Sequence, residues 1–88
     1  MNRDSLDALI AHESAALREA FPQVSWCRAQ LETLNEGEAR RYSVLLDIRL
    51  PEHQSLISGK SKHDPHAAVY AAFEEARNQL DEVARRPA

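Results

Sequence analysis

Between Asp4 and Phe21 the apolar residues Leu6, Leu9, Ile10, Ala16, Leu17, Ala20 and Phe21 recur at three- and four-residue spacing, which places them on one face of an amphipathic helix. Pro22 ends that helix, Asp4 or Ser5 can cap its free amides, and Asp7 sits favourably near its positive end. From Gln23 to Leu34 the period becomes two. Cys27, Ala29 and Leu31 fall on one side, while Trp26, Arg28, Gln30 and Glu32 fall on the other, as expected of a strand with one wet face. Asn35-Glu36-Gly37-Glu38 supplies turn chemistry. After it, Tyr42, Val44, Leu46, Ile48 and Leu50 alternate with Arg41, Ser43, Leu45, Asp47 and Arg49, the clearest strand in the chain. Pro51-Glu52-His53 makes the next turn, and Gln54 to Lys62 reads as a third strand. Its phase places Ile57, Gly59 and Ser61 inward, because the opposite phase would bury Lys60 and Lys62. Asp64-Pro65 opens a second helix, with Asp as the cap and Pro at the first position, where no amide donor is needed. Val69, Ala72, Phe73, Ala76, Leu80 and Val83 form its apolar stripe. Arg85 and Arg86 suit its negative end, and Pro87 stops it.

The order helix, strand, strand, strand, helix predicts an α+β fold. Each helix has one apolar stripe and each strand one apolar face. An antiparallel three-stranded sheet with both helices packed on one face buries all of them together. The opposite sheet face then stays open to solvent or to a partner. A chain of 88 residues forms one core, so residues 1–88 are a single domain.

Composition adds little to this picture. Hydrophobic residues make up 43% and charged residues 28%, as in ordinary globular chains. No apolar stretch approaches the roughly 20 residues needed to cross a bilayer, so no membrane partner is expected. The first residues lack the apolar run of a secretory signal, and the single cysteine, Cys27, has no intrachain partner. A reducing cytoplasm is the expected location. The net charge of −3 argues against nucleic-acid binding driven by bulk charge alone. It is unevenly spread: residues 24–62 carry six basic and five acidic side chains, while both ends of the chain are net acidic.

Four histidines raise the question of a metal, but His12, His53, His63 and His66 are scattered, and only His63 and His66, near Asp64, have a close spacing. Polar residues at a helix start account for that pair without a metal. Cys27 falls in the inward phase, where a small thiol is packing rather than a nucleophile. Two scattered glycines cannot build a phosphate loop, and Glu74-Glu75 and Asp81-Glu82 read as a solvated helix face. No catalytic residues and no cofactor are expected, and the chain does not read as an enzyme. The open sheet face is more informative. Its phase gathers Trp26, Arg28, Arg41, Arg49, Lys60 and Lys62 against Glu32 and Asp47, a platform for phosphate contacts and base stacking set against the alternative of charge placed there for solubility.

The run from Asp64 to Leu80, Asp-Pro-His-Ala-Ala-Val-Tyr-Ala-Ala-Phe-Glu-Glu-Ala-Arg-Asn-Gln-Leu, resembles the final helix of the ribosome hibernation-promoting factor and ribosome-associated inhibitor family. Phe21 to Ala29 is similar to that family's passage from its first helix into the next strand. The resemblance spans roughly residues 6–86 and is most specific in the last helix. It implies a β-α-β-β-β-α fold and binding to the ribosomal RNA of the small subunit, in the channel used by messenger and transfer RNA, where it would block translation and preserve idle ribosomes. The alternative is a protein-interaction domain of the same fold that has lost ribosome binding.

Two departures from the family stand out. Its first strand has no counterpart here, since only Met1-Asn2-Arg3 precede the helix signal; either the start is truncated or the sheet has three strands. The loop that is often basic in the family contains Glu36 and Glu38 here, with Arg40 and Arg41 just after. Without the first strand, the edge of the strand at Gln23–Leu34 is uncovered, and a homodimer through that edge is expected.

Overall fold

The computed structural model describes residues 3–36, 39–51, 53–61 and 64–85. The side chains of residues 3, 34–36, 39–40, 55, 58 and 60–61 lie outside that description, as do the sequence readings that fall on Gly37, Glu38, Lys62, His63, Arg86 and Pro87. The element order is α1 (Arg3–Ala20), β1 (Trp26–Glu36), β2 (Ala39–Leu50), β3 (His53–Ser61) and α2 (Pro65–Arg85). This is the expected α+β arrangement. The three strands form one antiparallel sheet in the order β1-β2-β3.

The register explains how alternation becomes a core. Opposite Leu46 lie Ala29 of β1 and Ile57 of β3, and opposite Val44 lie Leu31 and Gly59. These residues share the inward face with Ile48 and Tyr42, all of them buried except the half-buried Ala29 and Leu31. The phase of β3 is thus the one that keeps lysine out of the core: Ile57 is 2% exposed. α2 lies over β2 and β3 and contributes Ala68, Val69, Ala72, Phe73, Ala76 and Leu80, all 0–2% exposed. α1 adds Leu6 and Leu17, with Leu9, Ile10 and Phe21 partly buried against the same cluster.

The approach of α2 to the sheet depends on Gly59. A β-carbon built there would lie 2.6 Å from the Ala68 carbonyl oxygen and 2.7 Å from the Ala72 β-carbon, and would also run into the Ala72 backbone nitrogen. Such separations are far inside van der Waals contact, so only a residue without a side chain fits beneath the helix.

Two contacts set the direction of α1 against α2. Near their starts the Ser5 hydroxyl and His66 Nε2 are 3.1 Å apart, and further along Arg77 donates to the Glu13 carboxylate at 3.3 Å. Both helices therefore run the same way. Glu13, only 8% exposed, is the one buried charged residue among those described, and Arg77 neutralises it where the helices meet. At the start of α2, the Asp64 carboxylate accepts from the His66 amide at 3.0 Å, the expected cap, and also lies 3.2 Å from His66 Nδ1. A carboxylate only accepts, so Nδ1 carries a proton, and in the neutral ring Nε2 accepts from the Ser5 hydroxyl.

Some details differ from the sequence reading. α1 begins at Arg3, so Asp4 and Ser5 lie inside the helix rather than capping it, and Ser5 is turned to His66 instead. Ala20, placed on the apolar stripe by spacing, is exposed because the helix ends there and the chain turns away. β1 starts at Trp26 rather than Gln23. The Val24 amide bonds to the Phe21 carbonyl in a turn, and the Ser25 amide and hydroxyl both donate to the Arg49 carbonyl, at 2.8 and 2.9 Å. β1 and β2 also extend further than expected at their junction, with Asn35 and Glu36 paired to Arg40 and Ala39.

Candidate binding face

The sheet face away from the helices carries the candidate site, because nothing among the described residues covers it. Reading across the strands, Trp26, Arg49 and Gln54 form one row, and Arg28, Asp47 and Leu56 the next. Gln30, Leu45 and Ser58 follow, then Glu32, Ser43 and Lys60. Arg41 lies beyond them, opposite Leu34. Trp26, Arg28, Arg41 and Arg49 are all exposed. Lys60 occupies the register position opposite Ser43, with its side chain outside the description, and Lys62 lies outside the described residues altogether.

The register brings some of these residues together and keeps others apart. Trp26, Arg28 and Arg49 form a compact group at one end. The Arg49 guanidinium lies over the Trp26 ring, 4.6 Å from its centroid, close enough for a cation–π contact. Arg49 also lies 3.5 Å from the Asp47 carboxylate, which accepts from the Gln54 amide at 2.9 Å. Asp47 thus steadies the group and offsets part of its charge. Arg28 has no ion-pair partner among the described residues. Arg41 is eight residues from Arg49 along β2, roughly 26 Å at strand rise, so it belongs to a second cationic end with the Lys60 position.

Between these ends lies an apolar patch that the charge-based reading passed over. Leu45 is 40% exposed and Leu56 64%, on neighbouring strands and diagonal to each other. The signal was present in the alternation itself, since Leu45 shares its phase with Arg49 and Leu56 is out of phase with inward Ile57. Beneath the sheet, Cys27 is half-buried. Burial pushes its thiol above the ordinary value, and the Asp47 carboxylate adds to this, against the opposing effects of the Arg18 guanidinium and a hydrogen bond with Ser14. The folded state therefore holds less thiolate than the unfolded chain near pH 8, and raising the pH beyond the ordinary thiol value favours unfolding. Iodoacetamide at pH 8 should alkylate Cys27 more slowly in the native protein than in denaturant. Equal rates in the two conditions would show a reactive thiol instead.

No helix among the described residues is long and apolar enough to cross a membrane, and no group of three histidine, cysteine or acidic residues among them could hold a metal ion. Together the fold and face define a small α+β domain with an uncovered sheet face that combines a stacked tryptophan, arginines and a leucine patch. No protein-family model matches the chain, and no curated protein is significantly similar to it.

Proposed function

We propose that this domain binds RNA of the small ribosomal subunit through its open sheet face and acts there as a translation inhibitor of the hibernation type. The observation that carries this reading is the exposed group of Trp26, Arg49 and Arg28. An aromatic ring beside two guanidinium groups offers a stacking surface for a base and donors for the flanking phosphates, without requiring a particular base sequence. The resemblance of Asp64–Leu80 to the final helix of the hibernation-factor family suggests the small subunit as the source of that RNA. With about four phosphate contacts, a fourfold rise in salt should weaken binding about 50-fold. The protein should accordingly cosediment with small subunits at low salt and leave them at high salt.

A second reading, a protein-interaction domain using the same face, is favoured by exposed Leu45 and Leu56, which have no role in phosphate binding. Folded protein that stays out of the ribosomal fraction even at low salt would decide for this second reading.

A further inference from the structure

The sheet ends on β1, whose outer edge pairs with no strand among the described residues. At 11 residues it is long for an edge, and natural proteins shorten, charge or cover such edges because their open amides and carbonyls template pairing with another chain. The core is also unfinished on this side. Leu6, Asp7, Ile10 and Ala11 of α1 and Ala29 and Leu31 of β1 line a groove of about 200 Å³. Cys27, Ala29, Leu31, Leu9 and Ile10 are only partly buried, whereas the inward residues Val44, Leu46 and Ile48 of β2 are fully buried. One more strand along β1 would complete the backbone pairing and close the groove. At the other end of the sheet α2 lies over the inward face of β3.

We propose that this strand is β1 of a second copy, paired antiparallel about Gln30, so that two three-stranded sheets join into one of six strands with both α1 helices over the seam. In a two-fold antiparallel pair each contact occurs twice, and inward residues must meet inward residues. Every register centred on a residue satisfies that condition, and charge separates them. Centring the pair on Arg28 or on Glu32 sets like charges against each other, and centring it on Ala29 or Leu31 sets Arg28 and Glu32 against uncharged residues. Centring it on Gln30 places Arg28 opposite Glu32 of the second copy, twice over. On the inward face the same register sets Ala29 against Leu31 of the second copy, small against large, beside the groove.

The pairing also answers a local lack. Arg28 lies opposite Asp47, whose oxygens are engaged by Arg49 and Gln54, and Glu32 lies opposite Ser43. Neither Arg28 nor Glu32 has an ion-pair partner among the described residues, and the second copy supplies one to each.

Light scattering on the 88-residue chain should give twice the monomer mass at high micromolar concentration. Arg28→Glu alone, or Glu32→Arg alone, turns two attractive cross-strand pairs into two repulsive ones and should raise the dimer Kd about tenfold. An equimolar mixture of the two variants should regain the original Kd, because the reversed position 28 of one chain meets the reversed position 32 of the other. Both positions are exposed, and circular dichroism checks that each variant is folded. A monomer at high micromolar concentration overturns the proposal and leaves the groove to a different chain. A dimer that ignores both reversals, or a mixture no tighter than its components, overturns it equally.

Discussion

Gly59→Ala is expected to destabilise the domain by about 3 kcal/mol, at the upper end of what overpacking a core costs. Two effects oppose that loss. Alanine restricts the unfolded chain, which usually stabilises by roughly 0.4–1 kcal/mol, and it is also a better strand residue than glycine. Neither effect matches the clash, because two of the three atoms that the new β-carbon meets, the Ala68 carbonyl oxygen and the Ala72 nitrogen, belong to the backbone of α2 and cannot rotate away. The helix would have to rise off β3, opening space around Phe73 and Ile57 at the centre of the core. For a domain of this size the melting temperature should fall by about 12–24 °C. Thermal denaturation followed by circular dichroism measures it. Ala72→Gly in the same chain removes only the side-chain part of the clash and should not restore stability. A shift of a degree or two in Gly59→Ala, or full recovery in the double variant, would show that the helix is not held against the strand backbone.

The glycine illustrates which features of the fold alternation can reveal. The facing of β2 was legible because five apolar residues on one face leave a single workable phase. β3 was legible only through an energetic argument, the cost of burying lysine, and its inward glycine could be placed on a face but not recognised as the floor beneath α2. Glu13 shows the complementary failure. It lies three residues after Ile10 and four before Leu17, so spacing alone puts it on the apolar stripe of α1, where a charge is usually excluded. Its burial becomes intelligible only with Arg77, 64 positions away, and that pairing requires the parallel packing of two helices that no local pattern encodes.

The binding face divides in the same way. Alternation assigned Trp26, Arg28, Arg41 and Arg49 to the outer surface, and all four lie there. Which of them are neighbours depends on register, set here with Glu36 opposite Ala39. A shift of two residues would preserve every face yet separate Trp26 from Arg49. The stacked pair and the distance to Arg41 were therefore beyond a reading of periodicity. Leu45 and Leu56 were within reach, but attention to charge left them out of the candidate surface.

Replacing Arg28, Arg41 and Arg49 together by glutamate should reduce binding to small ribosomal subunits at least about a hundredfold while leaving the domain folded. Each arginine is exposed, so the fold does not depend on its charge. Each also stands where a phosphate contact is proposed, and removing three such contacts should lower the magnitude of the log–log salt slope by about 2. Arg49 has a further role, since its guanidinium lies over Trp26, and without it the only tryptophan loses the cation that covers one ring face. Trp26 fluorescence is accordingly a local probe: it should change on RNA binding in the native protein and stay constant in the triple variant. Leu45→Ser with Leu56→Ser is the informative partner experiment, because it removes the apolar patch and keeps every cation. If RNA is the ligand, the leucine variant should retain most of its ribosome binding and its salt dependence. If the face docks a protein, the order reverses, with the leucine variant losing its partner and the arginine variant losing less. Ribosome binding that survives the triple reversal unchanged would remove the sheet face from the site and direct attention to the exposed side of α2, where Tyr70 is 54% exposed.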